Sequence, residues 1–136
     1  MNSFNHYAYG SVVCWFYDTI AGLRPLPEAP RPDMSTSPVP RRDLLKNEAY
    51  VANLMQTSRG CPFDCDFCSV PVMNGFKYRE RPVPEILDEL EAIPQKLIYF
   101  VDDNMIGYSN RSRDHVRELF QGIIDRGIKK EWFAYV

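Results

Sequence analysis

The chain has 136 residues, 45 % hydrophobic and 25 % charged, one small domain's worth of foldable sequence. Its net charge of −2 at pH 7 excludes a general nucleic-acid binder, which would carry a basic excess, so no nucleic-acid partner is expected. No apolar run approaches membrane-spanning length and no basic patch precedes an apolar stretch at the N-terminus, so neither a membrane segment nor a signal peptide is read.

Residues 1–23 read as a helical segment, with Val12, Trp15, Phe16 and Ile20 at near-helical spacing and Gly22 at the end. Within it, Asn2-Ser3-Phe4-Asn5-His6-Tyr7-Ala8-Tyr9-Gly10-Ser11-Val12 resembles a motif of the bacterial α-L-rhamnosidases and departs from it at Val13-Cys14. A glycoside hydrolase of that kind needs a large helical barrel and paired carboxylates flanking the bond. This stretch builds neither, so the expectation is a foreign remnant in a chimeric or mis-assembled reading frame, with His6 lining no site. Residues 24–49 form a proline-rich linker. Six of the eleven prolines (Pro25, Pro27, Pro30, Pro32, Pro38 and Pro40) fall there, and proline fixes φ and removes donors.

Residues 50–136 carry the chemistry. Tyr50–Thr57 reads as a first strand running into Cys61-Pro62-Phe63-Asp64-Cys65-Asp66-Phe67-Cys68. Three of the four cysteines lie in this C-x-x-x-C-x-x-C stretch. A buried structural cysteine gains nothing from two others beside it, whereas three soft sulfurs on one loop can converge on a soft metal. Structural zinc wants four protein ligands. Cys14, read as a buried or adventitious thiol, is remote, and His6 and His115 form no paired motif. Three local ligands with one vacancy better suit an iron–sulfur cluster that leaves one iron open. A zinc site or a disulfide is the alternative. Dense free thiols without an export signal point to a reducing cytoplasm.

Asn74-Gly75 signals a turn, and Lys77, Arg79 and Arg81 read as a solvated basic face, with contact to an anionic group as the alternative. Pro84 opens a helix whose apolar stripe is Ile86, Leu87, Leu90 and Ile93, with Glu85, Asp88, Glu89 and Glu91 towards solvent and Pro94 as the stop. Leu97–Val101 reads as a parallel strand covered on both faces. It ends on Asp102-Asp103-Asn104. Gly107 turns the chain into a second helix, Arg113–Arg126, with Val116, Leu119, Phe120, Ile123 and Ile124 inward, His115 on the surface and Gly127 as the cap. Glu131–Val136 begins a third strand. The order is βαβαβ, an α/β arrangement with right-handed crossovers and a parallel sheet, which brings the cysteine loop and the acidic tip to the same edge.

The cysteine spacing with Phe67 before the last cysteine, the flanking Gln56-Thr57-Ser58-Arg59-Gly60 and Ser69-Val70-Pro71, and the course of Tyr50 to Val136 together resemble the first half of a radical S-adenosylmethionine (SAM) core. Pro40-Arg41-Arg42-Asp43-Leu44-Leu45 and Phe100-Val101-Asp102-Asp103-Asn104 further resemble the subgroup with an N-terminal cobalamin-binding domain. Nothing upstream of Pro25 is long enough to form that domain, so cobalamin is expected only of full-length relatives. The resemblance implies a partial (β/α) barrel, truncated here. It implies a 4Fe–4S cluster on Cys61, Cys65 and Cys68 whose open iron chelates SAM, backbone around Phe67 facing the adenine, and Asp102, Asp103 and Asn104 as candidates for the methionyl amine. It also implies reductive cleavage of SAM to a 5′-deoxyadenosyl radical, with electrons from a donor such as a flavodoxin or ferredoxin. For Asp102 and Asp103 the plainer reading is a cap on the next turn, and for Phe67 a core position. Two other readings of the whole chain stand beside this one: a non-catalytic zinc or iron–sulfur module, and a glycosidase remnant resting on residues 1–23 alone.

Overall fold

A computed structural model describes residues 30–136. The helical segment expected over residues 1–23, with His6 and Cys14, lies outside the described residues. The chain divides into two compact units, residues 1–31 and 32–136.

The centre of the second unit is a three-stranded parallel sheet, β1 (Ala52–Met55), β4 (Leu97–Phe100) and β5 (Glu131–Phe133), in the order β1-β4-β5. Between β1 and β4 lie a two-residue strand β2 (Ser58–Arg59), a short helix α1 (Val70–Asn74), its pairing strand β3 (Arg79–Glu80), and helix α2 (Val83–Ala92). Helix α3 (Asn110–Asp125) joins β4 to β5. The expected βαβαβ frame is therefore present as an open sheet with helices. The β2–β3 pairing and α1 are additions that the sequence pattern did not reveal.

Local chemistry sets the helix limits. Pro84 occupies the first turn of α2, where its missing N–H is harmless, and the helix ends before Pro94. The Ser109 side chain accepts a hydrogen bond from the Ser112 amide at the start of α3. Gly127, at φ +63°, takes the left-handed residue that ends it.

Both crossovers step in the same direction across the sheet, so both helices land on the same face. There Met55, Ile98 and Phe100 meet Ile86, Leu87 and Leu90 of α2 and Val116 and Leu119 of α3. The helices approach closely because Gly122 of α3 has no side chain: a Cβ there would lie 2.4 Å from Leu87 Cδ1.

The same geometry corrects the expectation that residues 97–101 are covered on both faces. Tyr99 and Val101 are 39 % and 43 % exposed and point to the open face, where the Tyr99 and Phe133 rings meet at a tilt with centroids 5.7 Å apart. Ile124 is 70 % exposed, because it falls one residue beyond the stripe set by Val116 and Leu119.

Two polar readings also change. Glu89, expected in solvent, is buried between two arginines. Its Oε1 lies 2.6 Å from Arg42 Nη1 and its Oε2 2.6 Å from Arg81 Nη2. A carboxylate is tolerated inside when opposite charges face it. Arg81 is accordingly buried rather than part of a solvated basic face, and Arg79 donates to the carbonyls of Pro32 and Asn74. Of the three, Lys77 alone is exposed. Arg42 also donates to Asn53 Oδ1 and to the Leu54 carbonyl on the free edge of β1, so the second half of the proline-rich stretch is docked onto the sheet. His115 is half-buried, and its Nε2 lies 2.8 Å from the Arg81 carbonyl, which ties α3 to the segment before α2.

Truncating Ile86, fully buried between sheet and helices, is expected to cost about 2–5 kcal/mol, and Ile124→Ala less than about 0.5 kcal/mol. Urea unfolding of both variants checks the assignment of the helix faces.

Candidate metal and cofactor site

The parallel strands β1 and β4 end side by side at Met55 and Phe100. Backbone continuing from β1 passes through Thr57–Gly60 into the cysteine loop, and backbone continuing from β4 supplies Asp102, Asp103 and Asn104. Val101 N donates to the Met55 carbonyl at 2.8 Å, so the two exits stay in contact beyond the ladder.

Residues 60–78 form an excursion closed at its base. Ser58 pairs with Glu80 and Arg59 with Arg79 in the antiparallel β2–β3 ladder. Arg81 N donates to the Thr57 carbonyl at 2.9 Å and Cys61 N to the Gly75 carbonyl at 3.2 Å. Gly60 has φ +93°, and a Cβ there would meet the Lys77 carbonyl oxygen at 2.4 Å, so glycine alone lets the two legs cross this closely. Gly75, at φ +86°, ends α1 and turns the return leg.

Inside the excursion, Cys61 and Cys68 are half-buried and Cys65 is exposed, and all three are free thiols. Cys68 N donates to the Cys65 carbonyl at 3.0 Å, a turn that places these two cysteines on one bend. Among the described residues, no three His, Cys, Asp or Glu side chains converge closely enough to form a metal cage. By chemistry the donors, three soft free thiols with no disulfide among them, fit an iron–sulfur cluster. Phe67 is 92 % exposed at the tip of the bend, which excludes the core reading for it. Phe63 lies nearby, half-exposed, with its ring centroid 5.7 Å from that of Tyr108.

All three tip residues are engaged with the chain. Asp102 is 3 % exposed. Its Oδ1 accepts from Thr57 N at 2.6 Å and Ser58 N at 2.8 Å, and its Oδ2 from Thr57 Oγ1 at 2.6 Å. Burial pushes the Asp102 carboxyl above the ordinary carboxylate value, against the pull of these donors, and the Asp103 charge adds to the rise. Asp103, half-buried, accepts from Gly60 N and from Asn74 Nδ2. Asn104 Oδ1 accepts from Ile106 N at 3.0 Å and so makes the turn cap. The two aspartates, by contrast, hold the start of the cysteine loop. Sequence reasoning missed their partners Thr57, Ser58 and Asn74, which carry no motif. It also missed Tyr78, whose hydroxyl bonds the Met105 carbonyl at 2.5 Å and whose pKa burial pushes up to about 12.

A family model described as the Radical SAM superfamily matches residues 55–130. An uncharacterized methyltransferase of Synechocystis sp. is 39 % identical over 93 residues, covering 65 % of this chain and 17 % of that protein. The hopanoid C-2 methylase of Rhodopseudomonas palustris is 33 % identical over 95 residues, covering 67 % of this chain and 18 % of that protein. An α-L-rhamnosidase of Formosa agariphila is 43 % identical over 49 residues, but these cover only 36 % of this chain and 5 % of that enzyme. The chain thus spans less than a fifth of these two methyltransferases.

Asp102→Ala is expected to cost about 3 kcal/mol or more, because it leaves two buried amides unpaired. Asp102→Asn keeps an acceptor for both amides and a donor for Thr57 Oγ1, and should cost below about 1 kcal/mol. A raised folded-state pKa means that the folded chain binds the proton more tightly than the unfolded chain. The stability advantage of the unsubstituted chain over Asp102→Asn is therefore greatest below about 3.8 and falls as pH rises above it. Urea midpoints of the two proteins across that range check the sign.

Proposed function

The chain belongs to the radical SAM superfamily, and on that premise we propose that residues 50–136 bind a 4Fe–4S cluster and SAM as the cofactor-binding part of a radical SAM enzyme. The observation that carries the reading is a loop with three free thiols, closed at its base and fixed to the C-terminal edge of a parallel sheet. That edge is where folds of β/α units gather their ligands. Cys61, Cys65 and Cys68 are the three ligands in this reading. Their count leaves one iron without a protein donor, which is the position SAM occupies.

Bound there, the cluster would supply the electron that cleaves SAM reductively to a 5′-deoxyadenosyl radical. The chain's own part is to bind and orient. Phe67, exposed on the bend between Cys65 and Cys68, offers its backbone and ring to the adenine. Asp103 and Asn104 offer acceptors to the methionyl amine. A carboxylate can accept about four hydrogen bonds, and Asp103 has two donor groups among the described residues, so it retains capacity for an ammonium group. Asp102 is buried and acts from beneath by fixing Thr57 and Ser58.

The relatives named as methylases and methyltransferases support methyl transfer as the reaction class of the whole enzyme. The stretch from Pro40 to Leu45, docked through Arg42, links this unit to the cobalamin-type subgroup in the same reading. A flavodoxin or ferredoxin in the cytoplasm would deliver the electron. Among the described residues no helix is long and apolar enough to cross a membrane.

Anaerobic reconstitution with iron and sulfide, followed by metal analysis and electron paramagnetic resonance of the reduced chain, tests the proposal. A 4Fe–4S signal that changes when SAM is added is expected, and Cys61→Ala, Cys65→Ala or Cys68→Ala should each abolish it. Stoichiometric zinc with no response to SAM would instead make the chain a non-catalytic metal module.

A further inference from the structure

The carboxylate of Asp103 lies between the two legs of the cysteine loop. On the outgoing leg, Gly60 N donates to Oδ2 at 2.8 Å, one residue before Cys61. On the return leg, Asn74 Nδ2 donates to Oδ1 at 2.9 Å and to Oδ2 at 3.0 Å, at the end of the short helix that follows Cys68. One side chain from the tip of β4 therefore reaches both legs. The Cys61 N bond to the Gly75 carbonyl closes the same neck through backbone. The β2–β3 ladder alone is two residue pairs long, too short to hold a loop of this length shut in water.

We propose that Asp103 and Asn74 form a latch that closes the neck of the cysteine loop before any metal arrives, which makes Asp103 a positioning residue for the three thiols. The proposal rests on the cluster reading of the loop and deepens it. Binding a metal centre orders its ligands at an entropic cost, and a neck already closed leaves only the bend from Pro62 to Phe67 to order. The latch works in metal-free protein and needs no group that the structure lacks. It also accounts for polar atoms on two elements that the cysteine motif leaves unexplained. Asn74 is half-buried with its amide turned to the tip of β4, and Gly60 has a φ that only glycine adopts readily, which aims its N–H at Asp103.

The test exchanges the partners. In Asp103→Asn, the charged acceptor becomes a neutral amide, and one of the two oxygens that accept from Asn74 Nδ2 is replaced by a donor, which weakens the bonds to both legs. In Asn74→Ala, the donor is removed while β4 is untouched. The exchanged pair Asp103→Asn with Asn74→Asp restores a donor opposite an acceptor, with the net charge unchanged, and leaves an oxygen for Gly60 N. Amide hydrogen exchange at Gly60 and Cys61 is read in the metal-free full chain, and iron per chain is read after reconstitution.

Each single substitution should speed exchange at Gly60 and Cys61 about tenfold or more, since hydrogen bonds to a charged group hold the neck. It should also lower the iron retained, and the exchanged pair should recover most of both. Exchange at Ile98 and Phe100 in the same samples separates an open neck from lost fold, and Asn74→Ala carries the test if Asp103→Asn does not fold. Unchanged exchange at Gly60 in Asn74→Ala, or no recovery in the exchanged pair, overturns the latch. If exchange behaves as stated while no protein takes up iron, the latch stands and the cluster reading fails.

Discussion

A carboxylate placed inside a protein beside a second carboxylate is unfavourable unless donors surround it. Asp102 is held in that position by the first residues of the cysteine loop. Two backbone amides and a hydroxyl, from Thr57 and Ser58, converge on its two oxygens at 2.6–2.8 Å. The bond network therefore runs from the end of one parallel strand to the exit of its neighbour. Moving the loop away would strand the carboxylate, and removing the carboxylate would strand the amides. The position of the loop's start at the sheet edge follows from this mutual requirement, with Asp103 repeating it one residue further along.

The rest of the unit keeps that edge in place. Helices α2 and α3 cover one face of the sheet and fix the separation of β1, β4 and β5 through Ile86, Leu90, Ile98, Phe100 and Leu119. The buried Arg42–Glu89–Arg81 group ties α2 to the proline-rich stretch and, through Arg81 Nη1 on the Gln56 carbonyl at 2.9 Å, to the residue before Thr57. A buried group of this kind is weak evidence for stability, since apolar replacements often do as well, but it fixes one arrangement of the chain. Here that arrangement places the loop exit.

The frame was legible in the sequence because its signals are strong. Ile86, Leu87, Leu90 and Ile93 repeat at helical spacing, prolines mark both ends of that helix, and the run from Leu97 to Phe100 cannot be hidden. Three close cysteines marked the candidate site. What stayed hidden has a common cause: single sequence positions do not state their partners. Glu89 and Arg81 read as surface residues until each is seen to neutralise the other inside. β2 and β3 are two residues each, too short to carry a period. Tyr99 and Val101 looked buried because parallel strands usually are, yet both crossovers lie on the opposite face. The aspartates at the tip of β4 were found by position, but their bonds to Thr57, Ser58, Gly60 and Asn74 join residues far apart in sequence.

The central claim is that three thiols on a fixed loop hold a cluster with one iron left open. Mössbauer spectroscopy of the chain reconstituted with 57Fe tests it most directly, because it resolves individual iron sites. The account predicts a four-iron cluster in which one iron becomes distinct from the other three when SAM is added. Iron sites that are indifferent to SAM, or mononuclear iron on the thiols, would contradict it.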